Sequence, residues 1–223
     1  MSNELLIRRR GVSLGNTLNA NSYIQSGLVF QLDGIERGSN PLVWTDKKHL
    51  IEFPYSNATS VGSDYVMFDG TGCIVSNIIP AINAYQGTIE VCISDYTTSN
   101  CKIFCIGSYH DLIQFIIYKN KIGFSNSNAY NSVVAISNFP TKATYSINKD
   151  TLFVNSEKFT EFTIEQFNNT NQLEIIIGSR YPDGNSWNFN GKIHSIRVYD
   201  RILTDDEILH NQDIDRQRFN ITY

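Results

Sequence analysis

From Thr88 to Tyr199 the chain repeats one pattern: short runs in which apolar side chains alternate with polar ones, each run closed by residues that favour turns. The runs are Thr88 to Ser94, Lys102 to Gly107, Leu112 to Tyr118, Ile122 to Phe124, Ser132 to Ile136, Ala143 to Ile147, Leu152 to Val154, Leu173 to Gly178 and Lys192 to Tyr199. A period of two places alternate side chains on opposite faces of a strand, so each run buries one face. Ile89, Val91 and Ile93 oppose Glu90 and Ser94, while Ile113, Phe115 and Ile117 oppose Gln114 and Tyr118. An earlier run, Leu28, Phe30 and Leu32, ends at Asp33-Gly34 in the same way. No helical period interrupts these runs, which excludes βαβ units and predicts an all-β antiparallel two-sheet sandwich.

The expected core includes Leu28, Phe30, Ile113, Phe115, Ile196 and Val198. Ile193 falls out of phase with Ile196, which predicts a bulge or a strand covered on both sides. Asn148-Lys149-Asp150 reads as a hairpin turn, and Pro41 to Ser63, with Trp44 inside it, as an irregular polar loop. Thr204-Asp205-Asp206-Glu207 fits a capping box and starts one short C-terminal helix. Ile208, Leu209 and Ile214 give that helix an apolar side, leaving His210, Gln212 and Asp213 to solvent.

At 223 residues and 41% hydrophobic the chain can bury one sizeable core, so a single domain over residues 27–223 is expected. Residues 1–26 read as an N-terminal arm or linker, because Gly11 to Ser26 is rich in Gly, Asn and Ser and follows neither period. A net charge of -4 with basic residues scattered beyond Arg8-Arg9-Arg10 offers no track for a phosphate backbone, so nucleic acid is not an expected partner. The chain holds no long apolar run for membrane insertion, and the apolar patch of the first ten residues precedes its positive charges, the reverse of a secretion signal. Synthesis and folding in a cytoplasm are therefore expected. Cys73, Cys92 and Cys105 lie within apolar strand patterns and read as reduced core thiols. Cys101, four residues before Cys105, is expected to face the same way, without a zinc site to complete.

Three segments carry a family resemblance. Gly27 to Gly34 looks like an opening strand, Val66 to Gly70 with Thr88 to Val91 like a second and third, and Phe189 to Asn211 like a closing strand and helix. Together they resemble the laminin G-like, concanavalin A-like lectin jelly-roll family, which implies a jelly roll over most of the chain. Glu4 to Arg10, followed by small residues and a lectin-like domain, is similar to the start of phage and prophage proteins. That second resemblance implies a virion component, with residues 1–26 attaching it to other virion proteins or to further copies of itself. A bacterial carbohydrate-binding lectin module outside a virion is the alternative.

Glucanases of the family place paired carboxylates on one strand, as retaining hydrolysis requires. Here Cys92 and Ser94 follow Glu90, so Glu90 is expected to point outward and no glycan hydrolysis is expected. The four histidines, at 49, 110, 194 and 210, are isolated in sequence and assemble no triad from spacing. Many laminin G-like domains hold calcium at a rim, and Asp33, Asp69 and Asp183 are the carboxylates in turns. Each is explained by turn formation, so no metal and no other cofactor is expected. The binding candidate is the loop Arg180 to Trp187, where Tyr181 and Trp187 would stack on a sugar ring and Asp183 and Asn185 would take its hydroxyls, a cell-surface glycan being the expected ligand class. Against this stands a plain reading in which Trp187 plugs the sandwich against Phe189. Trp44 with Asp46, and Tyr130 in the 126–131 loop, are weaker candidates of the same kind.

Overall fold

A computed structural model describes residues 22–76, 87–97, 100–106, 113–118, 121–126, 129–135, 140–148, 151–159, 175–184 and 187–222. The strands are β1 (Leu28–Asp33), β2 (Val43–Thr45), β3 (Glu52–Pro54), β4 (Thr59–Val61), β5 (Val66–Asp69), β6 (Ile74–Val75), β7 (Thr88–Ser94), β8 (Cys101–Ile106), β9 (Ile113–Tyr118), β10 (Lys121–Asn126), β11 (Ala129–Ala135), β12 (Lys142–Ile147), β13 (Leu152–Val154), β14 (Glu157–Phe159), β15 (Ile175–Ile177) and β16 (Asn190–Tyr199). One helix, α1 (Asp205–Arg218), follows them. An eight-stranded sheet runs β14-β13-β12-β7-β16-β5-β4, with β1 also paired to β16, and a six-stranded sheet runs β11-β10-β9-β8-β15-β6. Every described pairing is antiparallel.

The sheets meet face to face over a continuous apolar core. Phe30 of the first lies 5.9 Å from Phe104 of the second, and Phe115 lies 6.1 Å from Tyr145, ring centroid to ring centroid. Of the predicted core residues, Leu28, Phe30, Phe115, Ile196 and Val198 are buried, and the side chain of Ile113 lies outside the described set. The phase slip in β16 is a bulge: its register with β7 shifts between Ile193 and Ser195, which lets both Ile193 and Ile196 enter the core. The Asn148 turn closes β12 onto β13 through Asn148 N–H to Thr151 O and Thr151 N–H to Asn148 Oδ1; its residues 149–150 lie outside the described set.

Several expectations are corrected. Pro41 to Ser63 is not irregular, because β2, β3 and β4 form there, with Trp44 completely buried and donating Nε1–H to Asp33 O at 3.0 Å. Cys101 and Cys105 face opposite ways: a register shift between Lys102 and Phe104 inserts one residue and reverses the alternation, so Cys101 joins the inter-sheet core and Cys105 packs with Cys73 and Ile176. All four cysteines are free thiols.

The largest departure concerns the outer face of the eight-stranded sheet, which period two assigns to solvent. It is buried under α1. Every residue of β7 is buried, Glu90 included, so Glu90 does not point into water as expected. Arg197 Nε donates to Glu90 Oε2 at 2.8 Å, and its Nη1 and Nη2 donate to Asp215 of α1 at 2.8 and 2.6 Å. Asn211 and Ser146 also donate to Glu90, and Gln212 donates to Ser146. The sheet-facing side of α1 is thus partly polar, which is why Gln212 is buried and Leu209 is exposed, the reverse of the expected assignment. The capping box forms as read, Thr204 Oγ1 accepting from Glu207 N and Glu207 Oε2 from Thr204 N. Within the stretch assigned to the arm, Tyr23 and Ile24 are buried on the helix: Tyr23 O–H donates to Asp215 Oδ1 at 2.8 Å and Ile24 N–H to Asn211 Oδ1 at 2.9 Å. Among the described residues no helix is long and apolar enough to cross a membrane.

Candidate functional site

The Arg180 to Trp187 loop leaves the six-stranded sheet at the end of β15 and returns into β16 of the other sheet. Its base is pinched shut by backbone bonds: Gly178 N–H donates to Ile103 O at 3.0 Å and Phe189 N–H to Gly178 O at 2.8 Å. Gly178 has φ +89°, and a Cβ there would stand 2.5 Å from the Phe68 ring, so only glycine fits this exit. Pro182-Asp183-Gly184 makes the turn the sequence suggests, closed by Gly184 N–H to Tyr181 O at 3.0 Å. Asn188 Nδ2 ties back to Gly184 O at 2.6 Å, and the Cys73 thiol lies against the carbonyls of Tyr181 and Pro182.

Of the predicted binding residues, Tyr181 and Trp187 are half-buried, Asp183 is exposed on the turn, and Asn185 lies outside the described residues. Trp187 sits at φ +60°, a left-handed conformation that costs a bulky residue on the order of 1–3 kcal/mol and persists only when neighbours fix it. They do so here: Lys102 N–H donates to Trp187 O at 2.9 Å, and Lys102 Nζ lies 4.7 Å from the Trp187 ring centroid. The guanidinium of Arg180 lies 5.0 Å from the Tyr181 ring centroid. Phe189, completely buried against Phe68 and Tyr96, is the plug of this end of the sandwich.

Sequence reasoning missed the floor beneath the loop. On the outer face of the six-stranded sheet, Cys105 pairs with Gln114 and Lys102 with Ile116, and all four side chains are buried. Burial, with smaller effects from its charged neighbours, pushes the Lys102 ammonium down to about 8. Gln114 is 1% exposed, and among the described residues neither its amide oxygen nor its nitrogen has a hydrogen-bond partner. Nothing in the alternation announces this, since polar residues on an outward face normally signal solvent.

The weaker candidates are structural. Asp46 Oδ1 accepts from Gln31 N and Oδ2 from Lys48 N and His49 N, and with Trp44 it is buried, so that pair offers no sugar surface. Tyr130 belongs to β11, its side chain outside the described set. Asp33 accepts from the backbone of Ile35 and Glu36 and from Arg218, and Asp69 from Thr71. Among the described residues no three or more His, Cys, Asp or Glu gather to hold a metal.

The fold does assemble a Ser, His, Asp array that spacing could not reveal. Ser94 Oγ lies 2.9 Å from His194 Nε2, and His194 Nδ1 lies 2.9 Å from Asp64 O and 3.3 Å from Asp64 Oδ2. Its surroundings are wrong for nucleophilic attack. Ser94 is 4% and His194 2% exposed, and the Phe219 ring stands 5.2 Å from the imidazole, so an acyl group has no approach. Burial, helped by the charge of Lys142, holds His194 below its ordinary pKa and keeps it neutral as a core residue.

Residues 120–209 match the family model of the concanavalin A-like lectin/glucanases superfamily. With the two packed antiparallel sheets, that match supports the jelly-roll family. The fold is an antiparallel β-sandwich of the jelly-roll kind. Among solved structures the chain is similar to a Trypanosoma rangeli sialidase in complex with sialic acid, with 13% identity and a TM-score of 0.64 over 88% of this chain and 34% of that one. It is also similar to the binding domain of botulinum neurotoxin serotype D/C VPI 5993, with 13% identity and a TM-score of 0.58 over 84% of this chain and 52% of that one. The chain therefore spans about a third of the sialidase and half of the toxin domain. At such identities the likeness is one of fold, shared by an enzyme and a binding domain alike. No curated protein sequence matches the chain.

Proposed function

We propose that this jelly roll is a non-catalytic binding module that takes a glycan on the Arg180 to Trp187 loop, as an adhesive or structural component of a phage virion. The observation that carries the binding role is Trp187, a half-buried aromatic held in a strained conformation by Lys102 at the surface end of the sandwich. The loop also carries Tyr181 and the exposed carboxylate of Asp183, and aromatic faces together with planar polar groups are the combination that sugar recognition uses. Two facts favour binding over turnover: Glu90 is locked to Arg197 beneath α1, and Ser94 is buried with His194, against which the Phe219 ring packs. The virion setting rests on the resemblance of the N-terminal segment to phage proteins. The same loop would serve a bacterial lectin module outside a particle, and mass spectrometry of purified particles separates the two.

The binding role is tested on a glycan array with the purified protein and its Trp187→Ala/Asn185→Ala variant. The parent is expected to bind and the double variant to lose binding with its circular dichroism and unfolding midpoint unchanged. Global unfolding of the variant would instead mark Trp187 as part of the core.

A further inference from the structure

We propose that a polar cavity beside β1 and the end of α1 binds a small hydroxycarboxylate between Lys48 at its mouth and the Gln31 amide on its floor. The cavity shares no residue with the Arg180 to Trp187 loop. Gln31 and Asp33 stand on the face of β1 opposite Phe30 and Leu32, so their side chains leave the inter-sheet core. Around them the N-terminal segment at Tyr23, the turn after β2 at Lys48, and Arg218 of α1 enclose about 240 Å³. That is room for one small molecule, less than a drug-sized ligand fills. Exposed Gln25, Glu36 and Lys48 form a mouth open to solvent, while Tyr23 and Gln31 are each 6% exposed and Asp33 is completely buried. The walls are fixed. Gln31 N–H donates to Asp46 Oδ1 at 2.7 Å and Lys47 N–H to Gln31 O at 2.9 Å, which ties β1 to the turn, and Arg218 Nη2 donates to Asp33 Oδ2 at 2.8 Å. A cavity held in this way has little freedom to lose on binding.

What the internal bonds leave over defines the ligand. Glu36 accepts from Lys47 and Arg218, and Asp33 accepts from Arg218 and from the backbone of Ile35 and Glu36, so two carboxylates are matched by two cations. Lys48 is a third cation. Among the described residues its Nζ has no acid partner and meets only Gln25 Oε1, at 3.4 Å. The Gln31 side-chain amide, though buried, makes no hydrogen bond to any described residue, and it lines a cavity that a ligand can enter. The remainder is one positive charge, spare N–H donors, and an amide oxygen that needs a donor. A carboxylate answers the first two and a neighbouring hydroxyl the third.

The probes are D-gluconate and sorbitol, which differ only in a carboxylate standing for a CH2OH group, titrated into isotope-labelled protein at pH 7 and followed by NMR. Gluconate is expected to bind at least about tenfold more tightly than sorbitol, because charge-assisted hydrogen bonds are the stronger kind. It should shift the side-chain amide resonances of Gln31 and the backbone resonances of Tyr23 and Ile24, and raise the thermal unfolding midpoint. Lys48→Glu should abolish the preference and Lys48→Gln most of it. The Lys48 side chain is exposed and either variant keeps the backbone N–H that Asp46 accepts, so both are expected to unfold at the parent's midpoint. Equal affinity for the two probes, binding of neither, shifts confined to the Arg180 to Trp187 loop, or a preference that survives both substitutions would each overturn the inference. Glycan binding at the loop is read separately, through Trp187→Ala/Asn185→Ala, and stands or falls independently.

Discussion

At the scale of single residues, the informative positions are polar side chains that strand alternation places in water and the fold places inside. Lys102 is the clearest case. An ordinary lysine titrates near 10.5, whereas burial holds Lys102 at about 8. Between those values the unfolded chain keeps a proton that the folded chain has shed, so the contribution of this group to stability rises with pH across that window. Below about 8 the fold carries a buried charge at a cost. Lys102→Met should therefore be more stable than the parent by roughly 1–3 kcal/mol at pH 7, and this advantage should shrink steadily toward pH 10.5. Urea unfolding of both proteins at pH 7 and 9.5 checks this, because titration of tyrosines and thiols cancels in the difference. An advantage that does not change with pH would mean that Lys102 is not buried as a charge.

At the scale of elements, α1 lies on the sheet through buried Ile208 and Ile214 and through Asp215, which completes a charged triad with Glu90 and Arg197. Burial works against the charge of Arg197, but Asp215 and Glu90 outweigh it and hold the guanidinium well above its ordinary pKa. The Tyr23 ring covers the same guanidinium, with its centroid 4.0 Å away. Breaking one member of such a group strands the rest in a dry place, whereas replacing all of them with neutral groups need not. Arg197→Ala is expected to cost about 3–5 kcal/mol in urea unfolding, and Arg197→Met/Glu90→Gln/Asp215→Asn to recover most of it. A triple variant as unstable as the single one would assign the loss to packing. Most strands from Thr88 onward and the capping box were legible because they depend on neighbours in sequence, whereas β2, β3 and β4 were not. The helix's buried side was not, since Gln212 is recognised as an inward residue only once Ser146 is known to lie opposite.

At the scale of the whole molecule, the end of the N-terminal segment is tied to α1. Tyr23 and Ile24 belong to the packing of α1, through Asp215 and Asn211. Deleting residues 2–20 is expected to leave the thermal unfolding midpoint unchanged while abolishing incorporation into particles or oligomers. Deleting residues 2–26 should in addition lower stability by roughly 2 kcal/mol or more, because Asp215 and Asn211 lose buried partners. Light scattering and calorimetry on the three proteins separate attachment from folding, and unchanged assembly of the shorter deletion would reject the attachment role.

Sequence alone determined most of the strands from Thr88 onward, the inward faces of β1, β7 and β16, the phase slip beside Ile193 and the start of α1, because period, phase and capping are local properties of neighbouring residues. Tertiary structure alone decided what covers the outer faces. Alternation states which side chains share a face, yet whether that face meets water depends on segments far away in the chain: α1 over Glu90 and Arg197, and Trp187 over Lys102. The loop at Arg180 to Trp187 was visible as turn residues and aromatics, while the buried Lys102 and Gln114 beneath it became visible only when β8, β9 and the loop were brought together.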